Sequence, residues 1–195
     1  RSEIALESVD CSSRRFRISR PGPSVKLVES VAKYGIIDPP VLIIDGGIFI
    51  PFTGHNRLNA ALRAGVRAVG CIAASSPDYR FFLSHSCLKN FRGELGVVGR
   101  IRAAVIAAEL KGLPIADEEI CSSLELPLPL VPSMTRILSL DERLLAYCDE
   151  KNVPQKTLVF LASFPAPICD ALSGWSGGMN VRMNMFKAAV ELLDD

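Results

Sequence analysis

Apolar positions along the chain follow two regimes. Up to about residue 75, short apolar runs alternate with amphipathic stretches. Ile4 to Val9 alternates weakly and reads as an edge strand. Ser24 is placed to cap a helix with Leu27, Val28 and Val31 on one face, stopped by Gly35. Pro39-Pro40 opens the extended run Val41-Leu42-Ile43-Ile44, and Asp45-Gly46-Gly47 turns the chain back into Ile48-Phe49-Ile50. A second helix follows, with Leu58, Ala61 and Leu62 as its buried stripe and Gly65 as its stop; Ala68 to Ala74 is a further buried strand.

From Pro77 onward the pattern predicts helices only. They are Tyr79 to Phe91; Val98 to Lys111, with Ile101, Val105 and Ala108 at helical spacing; a short helix capped by Asp117 and reaching Leu124; Ser133 to Leu140; Asp141 to Glu150; and Pro154 to Ser163. Gly174-Trp175-Ser176-Gly177-Gly178 reads as a loop. Asn180 then caps a last helix carrying Met183, Phe186, Val190 and Leu193 on one face. The pattern therefore predicts an α/β unit followed by an all-α unit.

Composition adds limits. At 195 residues, 49% hydrophobic and 22% charged, the chain is a folded protein with room for two small cores. No apolar run approaches the roughly 20 residues of a membrane helix, so no membrane association is expected. The chain opens on Arg1 without a signal-peptide pattern, as a fragment or trimmed product would. Six widely spaced cysteines form no C-x-x-C pair and have only two histidines to join them. Buried thiols in a reducing, cytoplasmic setting are expected, and no metal site. Residues 1–102 carry 15 Lys and Arg against 8 Asp and Glu, a net of +7, whereas 103–195 carry 7 against 13, a net of −6. The first part suits phosphates and the second repels them.

The chemistry concentrates at Phe52-Thr53-Gly54-His55-Asn56-Arg57. A strand, a glycine and a helix start bearing His, Asn and Arg make an anion site, because unpaired N–H groups point out of the first helical turn. The basic segment Arg14-Arg15-Phe16-Arg17-Ile18-Ser19-Arg20 is expected to send at least one arginine to the ligand.

The order of these features resembles the ParB/sulfiredoxin-like family, in particular ParB-type partition proteins. Arg17 sits where that family closes its first motif, and Glu29-Ser30-Val31 to Gly35-Ile36-Ile37-Asp38-Pro39 looks like its E-S-I-x-x-x-G-x-x-x-P segment. Gly54-His55-Asn56-Arg57-Leu58-Asn59-Ala60 falls on its phosphate motif, Lys89-Asn90-Phe91-Arg92 resembles its second nucleotide-facing motif, and Asp117 to Leu140 falls on its helix-turn-helix. The resemblance implies an α/β ParB/sulfiredoxin-like domain over 1–92 and a helical helix-turn-helix-type domain over 93–195. It further implies CTP as nucleotide and DNA as partner; members of the family dimerise through a further C-terminal segment, so the oligomeric state of this chain, a dimer included, stays open. The phosphate contacts it implies are Arg17, Gly54, His55, Asn56, Arg57, Asn90 and Arg92.

The departures narrow these roles. Where partition proteins carry glutamate and sulfiredoxins carry cysteine, this chain has His55, which supplies neither a thiolate nor a metal-binding carboxylate. Thr53 replaces the aspartate of kinases in this family, and Lys89 replaces a glutamate that helps hold magnesium. Anion binding without catalysis and without a resident metal is the expectation. A phosphotransferase or nuclease would need a carboxylate folded back to the loop, for which Asp10 and Asp38 are the candidates. In the helical part, Leu126 to Met134 holds three prolines, three leucines, a valine, a methionine and one serine. Ser133, Thr135 and Arg136 are then the residues left to meet DNA, and the apolar tract suits internal packing or a protein partner.

Overall fold

The structure, a computed structural model, describes residues 2–19, 22–178 and 188. The last helix expected from Asn180, with Met183, Phe186, Val190 and Leu193, lies outside the described residues, as does Arg20. The chain divides into two units, Arg1–Ser84 and His85–Asp195.

In the first unit a four-stranded mixed sheet runs in the order β1-β4-β2-β3, with β1 Ser2–Ala5, β2 Val41–Asp45, β3 Ile48–Pro51 and β4 Ala68–Ala74. The hairpin β2–β3 is antiparallel, β4 lies parallel to β2, and β1 adds antiparallel to β4 with Ile4 opposite Val69. Side chains alternate across a sheet. Ile4, Val69, Cys71 and Leu42 accordingly line one face, where they form a core with Val31 of α1 (Val25–Tyr34) and with Leu58, Ala60 and Ala61 of α2 (His55–Arg63). Ser24 caps α1 as expected, its Oγ accepting the Leu27 N–H at 3.2 Å.

Several expectations change here. The opening strand stops at Ala5, a turn of 3-10 helix covers Leu6–Ser8, and Val9 bridges in parallel to Phe49 of β3. Segment 2–9 therefore meets both edges of the sheet. β4 is half-buried rather than fully buried, since Gly70 and Ile72 face outward. On α2 the buried stripe is His55, Leu58, Ala60 and Ala61, whereas Leu62 is exposed.

In the second unit α4 (Val97–Lys111) packs against α5 (Glu118–Ser123), α6 (Val131–Leu138) and α7 (Glu142–Glu150). With neighbours on several sides it is buried nearly all round: Val98, Ile101, Ala104, Ile106 and Ala108 are inside, and Val105 is only half-buried. Asp117 caps α5 and Asp141 caps α7. Two further helices follow, α8 (Gln155–Leu161) and α9 (Ala166–Gly178). The expected loop at 174–178 is helical, the end of α9, which packs on α7 and buries Cys169, Leu172 and Ser173. α6 begins two residues earlier than expected because Pro132 fits a first helical turn, where no N–H is needed. Among the described residues no helix is long and apolar enough to cross a membrane, and no cluster of three or more metal-ligating side chains occurs.

Candidate functional site

The loop Phe52 to Arg57 is pinned before it reaches the helix. The N–H groups of Phe52 and Thr53 both donate to the Val41 carbonyl, at 2.8 and 3.1 Å. In return Thr53 Oγ1 accepts the Val41 N–H at 3.2 Å, and Thr53 is buried. The hydroxyl thus stitches the loop to β2. Phe52 anchors it from the other side in an aromatic cluster, 4.8 Å edge-on to Phe16 and 5.4 Å from Phe82, all three rings buried.

Gly54 then takes the left-handed conformation, φ 80° and ψ 20°, as the residue preceding α2. A β-carbon there would lie 2.7 Å from Pro40 Cβ and 3.1 Å from Pro40 Cα. Both the dihedral and the space require glycine. No side chain caps this end of α2, and the first intrahelical bond is Leu58 N–H to the Gly54 carbonyl. The N–H groups ahead of it find no acceptor within the helix.

Side chains from separate segments gather at this point. Arg17 Nη2 donates to Asn56 Oδ1 at 3.3 Å, so one arginine of the basic segment reaches the loop. Arg57 Nη1 donates to both the carbonyl and the carboxylate of Asp38. Asn59 Nδ2 donates to the His55 carbonyl at 2.9 Å and to the Cys11 carbonyl at 3.4 Å, tying the helix start to the N-terminal segment. His55 is buried, at 5% exposure. Arg15 instead pairs with Asp45 at 2.7 Å and lies over the Phe16 ring.

The two carboxylates weighed from the sequence differ sharply. Asp10 is used locally: it accepts Ser12 Oγ at 2.5 Å and the N–H groups of Ser12 and Ser13, and the Ser12 hydroxyl above all holds its carboxyl below the usual carboxylate range. Asp38 reaches the loop through Arg57. Asp38 is thus the one of the two candidate carboxylates that folds back to the loop, whereas the close approach of Pro40 and the stitch by Thr53 carry no sequence signal, since each is a contact over at least 12 positions.

Asn90 and Arg92 lie in the second unit, at the end of α3 (Tyr79–Phe91) and just beyond it. Arg92 is mostly exposed and stands 4.0 Å from Glu94, which also pairs with Lys89 at 3.0 Å. Other cations of this unit are engaged as well: Arg102 forks onto Glu142 at 2.9 and 3.0 Å, Arg100 reaches the Glu125 carbonyl, and Lys111 pairs with Glu119 and Asp117. By unit rather than by sequence half, 1–84 carries 11 Lys and Arg against 7 Asp and Glu, a net of +4; 85–195 carries 11 against 14, a net of −3. The charge contrast survives in weaker form.

On α6 the positions divide by face. Met134 and Ile137 are buried with Leu130 and Leu126, so three of the nine residues of the tract Leu126 to Met134 are core. Thr135 and Arg136 are exposed and Ser133 is half-buried, on the side the core does not use. Pro127, Leu128 and Pro129 remain outside, Leu128 at 50% exposure, and Pro127 and Leu128 line a groove with Glu118 and Glu119.

No family model matches the chain, and no curated protein matches it. Among solved structures it is similar to the C-terminally truncated chromosome-partitioning protein ParB from Caulobacter crescentus complexed to the centromeric parS site, at 18% identity, with 98% of each chain covered and a TM-score of 0.40. It is also similar to the same Caulobacter protein complexed with CTP-gamma-S, at 19% identity over 90% of this chain and 97% of that one, with a TM-score of 0.35.

Proposed function

We propose that the chain is a ParB-like, partition-type protein whose N-terminal domain, 1–92, binds a phosphate-bearing anion or nucleotide, and whose helical domain, 93–195, is DNA-associated. The observation that carries the proposal is the meeting of Arg17, Asn56 and Arg57 at a helix start opened by a glycine that no other residue can replace. Guanidinium groups and the N–H groups of a helix start together are what a phosphate needs. Gly54 and His55 contribute backbone, and the motif resemblance names Asn90 and Arg92 as a second nucleotide-facing segment. CTP is the nucleotide that the motif resemblance names. With a buried imidazole at position 55 and Lys89 at the metal-binding position, the loop holds its ligand without cleaving it.

Titration of fluorescent CTP and ATP into the full chain, with and without magnesium, tests the first half. Saturable binding that is lost in Arg17→Ala is expected; no binding of any nucleoside triphosphate at millimolar concentration overturns it. For the second half, a gel shift at low salt that disappears in Arg136→Ala is expected, because exposed Thr135 and Arg136 with half-buried Ser133 form the DNA-facing side of α6.

A second reading of the helical domain has one observation in its favour. Leu128 stands half-exposed in a groove edged by Glu118 and Glu119, an arrangement suited to a protein partner and hostile to phosphates. Absence of retardation at low salt, in wild type as in Arg136→Ala, would select this scaffold role over DNA association.

A further inference from the structure

Arg57 is already engaged before any ligand arrives. Its Nη1 donates to two acceptors on one residue, the Asp38 carbonyl and the Asp38 carboxylate. The two side chains differ in freedom: that of Arg57 is 19% exposed and that of Asp38 is 80% exposed. The cation is built into the fold, whereas the carboxylate stands in solvent on its outer side. Asp38 is also held at the loop by its successors, since Pro39 leads into Pro40, and Pro40 abuts Gly54.

A carboxylate offers a guanidinium the same planar pair of acceptor oxygens that phosphate does, with less charge. We infer that Asp38 is an internal competitor for this site: its carboxylate occupies Arg57 in the empty chain, and a phosphate-bearing ligand binds by displacing it. The inference rests on the anion-binding reading given above. Displacement leaves Arg57 in place, because the Asp38 main-chain carbonyl goes on accepting from Nη1 after the side chain has turned into water. The competitor also sets specificity. Monocarboxylates and other weak anions gain nothing by exchanging with a tethered carboxylate, so the site selects phosphate monoesters and polyphosphates, whose higher charge outcompetes it.

The test uses inorganic tripolyphosphate and acetate as probes, titrated calorimetrically into the full chain and its Asp38→Asn and Asp38→Asn/Arg57→Gln variants at low salt. Asp38→Asn keeps the size of the side chain at a mostly exposed position, and an unchanged thermal midpoint checks that it folds. The expected result is tripolyphosphate binding about three- to tenfold tighter in Asp38→Asn than in wild type, with the gain abolished in the double variant and acetate binding detectable only once Asp38 is gone. Binding by Asp38→Asn where wild type shows none also supports the inference. Wild-type binding that Asp38→Asn leaves unchanged or weakens overturns the competitor and leaves the anion site standing. Silence from both wild type and Asp38→Asn removes the anion site and the competitor together.

Discussion

Pro40 Cβ lies 2.7 Å from the point where a β-carbon on Gly54 would stand, so a proline ring 14 positions earlier in the chain sets the shape of the loop that opens α2. Gly54→Ala would have to move that ring and hold a left-handed φ of 80° at the same time. The expected cost is about 2–4 kcal/mol of stability, read as a lower midpoint in urea. Pro40→Gly/Gly54→Ala should recover part of the loss, because it removes the β-carbon that lies nearest and leaves the dihedral penalty and the 3.1 Å approach to the α-carbon of residue 40.

Gly96, just ahead of α4, is constrained by a different neighbour. A β-carbon there would fall 2.1 Å from Asp149 Oδ1 and 3.0 Å from its Cγ, while its own φ of −75° is ordinary. Space alone demands glycine, and the buried Asp149 carboxylate sits against the positive end of the α4 dipole. Gly96→Ala should lose about 2–4 kcal/mol by thermal or chemical denaturation. Gly96→Ala/Asp149→Ser should be less damaged than the sum of its single variants, and strict additivity would disprove the contact.

Thiol reactivity should rank by burial. Burial pushes the Cys71 thiol up to about 11 and Cys148 to about 12, the second helped by the neighbouring Asp149. Cys87 is only half-buried, and its thiol is raised by burial. In the native chain at pH 8, a maleimide should modify Cys87 first, with Cys71 and Cys148 reacting only on unfolding. Mass spectrometry of peptides from a time course reads this directly.

Asp141 caps α7 and accepts the Ser173 hydroxyl from α9. That hydroxyl, ahead of the Arg143 N–H and guanidinium, holds the carboxyl below the usual carboxylate range against the opposing effect of burial. Since the folded pKa is depressed, the stabilisation is fully present above the unfolded value of about 3.9 and fades as pH falls through the lower folded one. Ser173→Ala should therefore cost about 0.5–1 kcal/mol at pH 7, with the modest size set by partial exposure of Asp141, and the gap to wild type should narrow as pH falls through the depressed folded value.

How far the sequence reveals this molecule depends on the range of each interaction. Ser24, Asp117 and Asp141 cap helices through bonds two or three residues long, and the positions of those helices follow from local residues alone. The helical end of α9 does not, because Gly174 and its neighbours favour a loop locally and packing on α7 overrides that preference. The same limit governs the candidate site. Gly54 and the helix start behind it are visible as a motif, and the convergence of Arg17 on Asn56 is 39 positions long. Asp38 is legible as a carboxylate able to fold back to the loop, whereas its pairing with Arg57 over 19 positions is not. Likewise the basic look of the first 102 residues includes Lys89, Arg92, Arg100 and Arg102, whose charges the second unit balances with its own carboxylates.

The way segment 2–9 meets both edges of the sheet bears on self-association. One border is the four-residue strand β1, and at the other Val9 bridges to Phe49 while the Asp10 N–H donates to the Phe49 carbonyl at 2.8 Å. A foreign strand seeking to extend the sheet at β3 finds that carbonyl occupied, in a hairpin that exposes Ile44 and Ile48 and would otherwise be adhesive. Val9 and Asp10 thereby cover part of the β3 edge, and their removal should leave that edge open to pairing with a strand of another chain.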